Sequence, residues 1–212
     1  MSIEKKLNRG EWFEFPSLNA TASAGVVSLG VAERSIGDSA KHRDGLTPGR
    51  VRGSSDGSNA AKTHRNYVWL PWASGAVNYA EAQGKDVMSG AFSGCYMVRY
   101  HRGNGSWRVA HVSLGDGVDS REAWNAHAAE NGFHVGCGFK PYDIQRDKAT
   151  HDALKGQSFR FIGLITHTGE CWHFIVGLEP WDMGSGGPSP YRQILYKKRQ
   201  PSLPQAALLH IA

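Results

Sequence analysis

At 212 residues, with 40% apolar residues and seven Trp, the chain is long and apolar enough to bury one sizeable core. That excludes a disordered polypeptide and requires no second domain. The net charge of +5 comes from basic residues scattered along the chain, with Lys197-Lys198-Arg199 as the one cluster, so it reads as solvated surface charge rather than a nucleic-acid footprint. No apolar run nears the roughly 18 residues of a membrane span, and the first nine residues hold no apolar segment of a secretory signal, so synthesis in a cytoplasm is expected.

In chain order, Trp12, Phe13 and Phe15 form an aromatic cluster expected to pack on the body of the fold. Residues 25–31 read as a strand bounded by glycines. Residues 35–66 are rich in Ser, Gly, Asp, Asn and basic residues and hold no Phe, Trp or Tyr, which predicts a long polar loop. Residues 67–71 read as a short strand ending at Pro71, and residues 76–82 as a short helix closed by Gly84. A hairpin follows over about 92–114, then a helix over 120–131 with Asp119 as cap and Gly132 as stop. A second helix is expected over 143–155. Two apolar strands, 159–165 and 172–178, turn near Thr168-Gly169 and read as buried on both faces. A Gly/Ser/Pro loop over 182–190 precedes a last strand over 191–196. The order predicts an α+β fold: one domain over residues 1–212, with a central, mostly antiparallel sheet or sandwich flanked by a few helices.

The chemistry concentrates in the hairpin. Ser93-Gly94-Cys95 opens it, and the turn Arg102-Gly103-Asn104-Gly105 leads to a second strand ending at His111. A loop of Arg102 to Asn104 places Cys95 directly opposite His111, where Cβ atoms lie roughly 4.5–5.5 Å apart. A one-residue slip would put the two on opposite faces. An imidazole beside a thiol can take its proton and return it to a leaving amine. The small Ser93-Gly94 pair lets backbone approach a substrate, and adjacent amides can stabilise an oxyanion. Equally, Cys95 reads as a buried structural residue, since Cys is among the most buried residue types.

Phe92-Ser93-Gly94-Cys95 at a strand start, with a His one hairpin later, resembles the cytotoxic necrotizing factor and CheD group of glutamine deamidases, and within it the Burkholderia lethal factor-like toxins, which are similar in length. Those toxins have Leu where this chain has Phe92. The resemblance implies a β-sandwich core and a catalytic set of Cys95, His111 and a hydroxyl residue six positions before the Cys, a Thr in those toxins and Ser89 here. It implies a toxin-like hydrolase without cofactor or metal that converts a Gln of a host protein to Glu. An eIF4A-like helicase is the favoured substrate, which would inhibit translation, with a Rho GTPase next. Such an enzyme would be a monomer, made in a bacterial cytoplasm and acting in the host cytosol after export or release, with no direct nucleic-acid or membrane partner. The interval of sixteen residues from Cys95 to His111 is longer than in the lethal-factor toxins, so which member models the substrate stays open.

Other readings compete. Cys171 and His173 share a strand face with His167 across the turn, and three such side chains suit zinc, but no second ligand pair completes a metal signature. His101 lies too near the turn for the catalytic base. A cysteine protease would use the same dyad, yet the sequence around Cys95 lacks the papain-type and caspase-type signatures. The three cysteines form no CxxC pair and no even-numbered disulfide framework. A reading of a different class is a non-catalytic basic module that binds acidic protein or RNA, with Cys95 as core.

Overall fold

The computed structural model describes residues 3–5, 7–10, 12–14, 53–54, 67–72, 77–82, 84–114, 120–177 and 191–211. A short 3-10 turn, Ile3–Lys5, is followed by β1 (Trp12–Glu14), β2 (Gly53–Ser54), β3 (Val68–Pro71), β4 (Val77–Glu81), β5 (Val87–Phe92), β6 (Tyr96–Arg102) and β7 (Arg108–Val112). Then come α1 (Ser120–Ala128), β8 (Phe133–Phe139), α2 (Ile144–Ala153), β9 (Phe159–Ile165), β10 (Cys171–Gly177), β11 (Tyr191–Gln200) and α3 (Gln205–Leu209). The strands form a seven-stranded sheet, ordered β2-β1-β11-β10-β9-β5-β3, and a four-stranded sheet, ordered β4-β7-β6-β8. Among the described residues, every pairing is antiparallel except β3 with β5. The fold is α+β.

Alternation along the strands dictates the layers, because successive side chains point to opposite faces. On β9, Phe161 and Ile165 face the four-stranded sheet and join Phe92, Cys95, Met97, Val109, Cys137 and Phe139 in the central core. Ile162 and Leu164 point the other way, where they cluster with Trp69, Met88, Phe174 and Leu7. The seven-stranded sheet is therefore apolar on both faces, as its unbroken hydrophobic runs require. On its far side, the four-stranded sheet presents Tyr79, Val98, Tyr100, Ala110 and Val112 to Trp124 of α1 and Leu208 of α3. Burying each such large side chain contributes about 1.5–3 kcal/mol. The result is a β-sandwich with helices on the outer face of its smaller sheet. Among the described residues, no helix is long and apolar enough to cross a membrane.

Several expectations meet the structure directly. The two apolar strands are β9 and β10, joined by a turn in which Gly169 takes a positive φ of 92°. The helix over 143–155 is α2, capped by Asp143, which accepts from the backbone N–H groups of Gln145 and Arg146. The helix expected over 120–131 ends at Ala128. The last strand runs on to Gln200, farther than expected. The aromatic N-terminal segment contributes β1, which pairs with β11. The helix expected over 76–82 is instead β4. Its Ala and Glu residues favour a helix, but pairing with β7 from Val77↔Val112 to Glu81↔Arg108, and burial of Val77, Tyr79 and Ala80, override that preference. The expected strand over 25–31, the cap at Asp119, the loop over 182–190 and nearly all of the loop over 35–66 lie outside the described residues.

Candidate active site

β5 belongs to the large sheet and β6 to the small one, so Ser93-Gly94-Cys95 is where the chain crosses between them. The crossing explains the glycine: Gly94 has φ +127°, a conformation side chains rarely adopt, and open space surrounds the position a Cβ would take. Ser93 is exposed, and Cys95 turns into the central core immediately before β6.

The hairpin register differs from the expected one. Met97, not Cys95, lies opposite His111, and the ladder ends at Tyr100↔Arg108. The turn centres one residue later because Gly103 adopts φ +51° and the N–H of Gly105 closes on the carbonyl of Arg102 at 2.9 Å, where a Cβ on residue 105 would meet that oxygen. The correction moves the pairing by two positions, so parity is kept. Cys95 stands two residues before Met97 and is a diagonal neighbour of His111 on the same inner face.

Ser89 approaches His111 from the opposite sheet. Its Oγ donates to the Leu70 carbonyl at 2.7 Å and lies 2.7 Å from His111 Nδ1. A hydroxyl has one proton, and the carbonyl takes it, so the second contact is Nδ1–H donating to Oγ. That fixes the tautomer, with the lone pair of the imidazole on Nε2. Nε2 is buried and has no hydrogen-bond partner among the described residues. Phe92 stacks on the ring at 4.1 Å between centroids and 11° between planes. Ser89 is 0% and His111 1% exposed, and burial pushes the imidazole pKa down to about 3, so the ring is neutral.

The Cys95 thiol, 4% exposed, accepts from the backbone N–H of Leu114 at 3.5 Å. Beside it, Ser113 accepts at Oγ from the Trp72 indole N–H at 3.2 Å and at its carbonyl from the Ser120 hydroxyl. The structure thus joins Ser89 to His111 by a hydrogen bond and sets Cys95 on the same face without one to Nε2. Phe92 was legible as the residue leading into Ser-Gly-Cys. The partners Leu70 and Trp72 carried no local signal, since both come from β3 or its end, outside the hairpin.

The competing sites resolve into ordinary contacts. His167 bonds Asp86, through Nδ1 at 2.7 Å and through its N–H at 2.8 Å, and His173 Nδ1 meets the Pro141 carbonyl at 2.8 Å. Cys171 lies in the central core. Among the described residues no three His, Cys, Asp or Glu side chains are grouped to hold a metal ion. His101 stays near the turn, 2.8 Å from the Gly103 carbonyl and stacked on His134. No protein-family model, curated protein or solved structure matches the chain.

Proposed function

We propose that the protein is a toxin-like protein glutamine deamidase with Cys95 as nucleophile, His111 as general base and acid, and Ser89 as the residue that positions His111. One observation carries this reading. Ser89 occupies Nδ1 and leaves the buried His111 Nε2 lone pair without a partner among the described residues, on the face that Cys95 shares. A neutral imidazole with a free Nε2 can take the thiol proton as sulfur attacks the side-chain amide carbon of a glutamine. The same proton then goes to the departing ammonia. Water, deprotonated by Nε2, cleaves the thioester and releases glutamate, and Nε2–H returns the proton to sulfur. The amide of Cys95 is the proposed oxyanion donor. The change replaces a neutral amide by a charge and removes its donor protons, enough to break a bidentate hydrogen bond in the target.

The substrate proposed is a host protein, an initiation helicase first and a Rho GTPase next, reached in the host cytosol after export or release. The test is intact-protein mass spectrometry on those targets, incubated with wild type and Cys95→Ser. A gain of about 1 Da at a defined glutamine, absent with the variant, supports both reaction and nucleophile; no gain with wild type on either class removes both substrates.

The burial of Cys95 favours a second reading, a basic binding module in which the thiol is only core. Iodoacetamide at pH 7 separates the two. Labelling of Cys95 ahead of Cys137 and Cys171 fits the enzyme, and equal slow labelling of all three fits the module.

A further inference from the structure

The second and third cysteines sit on opposite sheets. Cys137 is on β8 of the small sheet and Cys171 at the start of β10 of the large one, and both point into the central core. The two strands approach within 8 Å between Cα atoms, and the two thiols share one buried cluster of that core. On β6, Arg99 pairs across to Cys137. Its guanidinium is held over the Trp107 ring at 3.9 Å and donates to the His167 carbonyl at 3.3 Å, which keeps a cation beside the Cys137 sulfur. The β9–β10 turn covers that sulfur with a residue that has no side chain: a Cβ on Gly169 would lie 3.7 Å from Cys137 Sγ and 3.3 Å from an Arg99 terminal nitrogen. All three cysteines are free thiols.

We infer that Cys137 and Cys171 form a peroxide-responsive dithiol site that closes into a reversible disulfide joining the two sheets. The contact to Cys171 and the Arg99 charge hold the Cys137 thiol below the usual range, against its burial, while the same contact and burial push Cys171 up. Cys137 is therefore the attacking sulfur and Cys171 the resolving one. In the first step Cys137 thiolate attacks a peroxide oxygen: an S–O bond forms, the O–O bond breaks, and the hydroxide leaves as water with the proton Cys137 had released. In the second, Cys171 sulfur attacks the sulfenic sulfur: the S–S bond forms, the S–O bond breaks, and hydroxide leaves as water with the Cys171 proton. Two thiols and one peroxide give one disulfide and two waters. Thiol–disulfide exchange with a reducing thiol pool reverses it.

The site is separate from the proposed nucleophile. Arg99, opposite Cys137, is four residues from Cys95, about 13 Å along the strand at ~3.3 Å per residue. The experiment treats wild-type protein with a small excess of hydrogen peroxide, blocks residual thiols and maps the digest by mass spectrometry. The expected result is a loss of about 2 Da, one peptide pair joining Cys137 to Cys171, and full reversal by dithiothreitol. The melting temperature of the oxidised protein should rise by roughly 5–15 °C. In Cys171→Ser, dimedone should trap a sulfenic acid at Cys137. A disulfide that includes Cys95, or oxidation of Cys95 with Cys137 and Cys171 both left as thiols, overturns the inference.

Discussion

At the scale of single residues, the Ser89–His111 bond carries the most testable content. Ser89→Ala strips the imidazole of its acceptor and the Leu70 carbonyl of its donor inside the core, which should cost about 1–3 kcal/mol of stability. It should also lower turnover of the target by roughly ten-fold or more, because the ring can then turn and switch tautomer. Unchanged turnover in the variant would show that the hydroxyl does not position the base. Cys95→Ser should abolish deamidation while leaving the fold intact, checked by product mass and by circular dichroism. His101→Ala should be nearly silent and His111→Ala inactive; the reverse pattern would move the base to the turn. Acid should report on His111 too. Its pKa is near 6.5 in the unfolded chain and about 3 in the fold, so between those values the unfolded state binds more protons. Stability is then full above about pH 6.5 and falls as the pH drops toward 3, by up to about 1.4 kcal/mol per unit. Burial lowers His127 and His173 as well, so they add to the same slope. His111→Gln should make a plot of the urea midpoint against pH shallower over that window; an identical slope would mean that His111 is charged in the fold.

At the scale of elements, local signals read well where they agreed with pairing. The helix expected over 143–155 is α2, which the structure shows capped by Asp143, and Asp143→Ala should cost about 1 kcal/mol in urea unfolding, as the loss of a side-chain cap does. The apolar runs of β9 and β10 and the glycine turn between them were legible for the same reason. β4 was not: Ala80 and Glu81 favour a helix, and pairing with the distant β7 makes it a strand. β8 and α3 also escaped, since Phe133–Phe139 is interrupted by two glycines and Gln205–Leu209 is only five residues long. Within the site, the residues Ser89, Cys95 and His111 could be named from spacing and resemblance. The turn register could not, because Gly103 and Gly105 both permit unusual backbone and the sequence does not say which governs.

At the scale of the whole molecule, the distance between the sheets controls the site. Gly163 of β9 faces the small sheet, and a Cβ there would come within 2.7 Å of Pro141, 2.9 Å of the Met97 sulfur and 3.0 Å of the Phe92 ring. Since Phe92 lies flat on His111, Gly163→Ala should push on the imidazole through that ring. We expect a loss of about 1–3 kcal/mol, as overpacking costs, together with reduced deamidation. Gly177→Ala, whose Cβ would make only ordinary contacts of 3.5 Å and beyond with Leu195, should change neither. Equal behaviour of the two variants would show that the gap between the sheets has slack.

The Ser89–His111 bond also sets an order of events during synthesis. β5 takes its place in the large sheet between β3, made earlier, and β9, made nearly seventy residues later. A chain that has left the ribosome as far as β8 carries every residue of the motif, yet Ser89 has no finished sheet to hold it against the imidazole. On the proposed mechanism, the nascent chain should therefore stay chemically silent at least until β9 emerges.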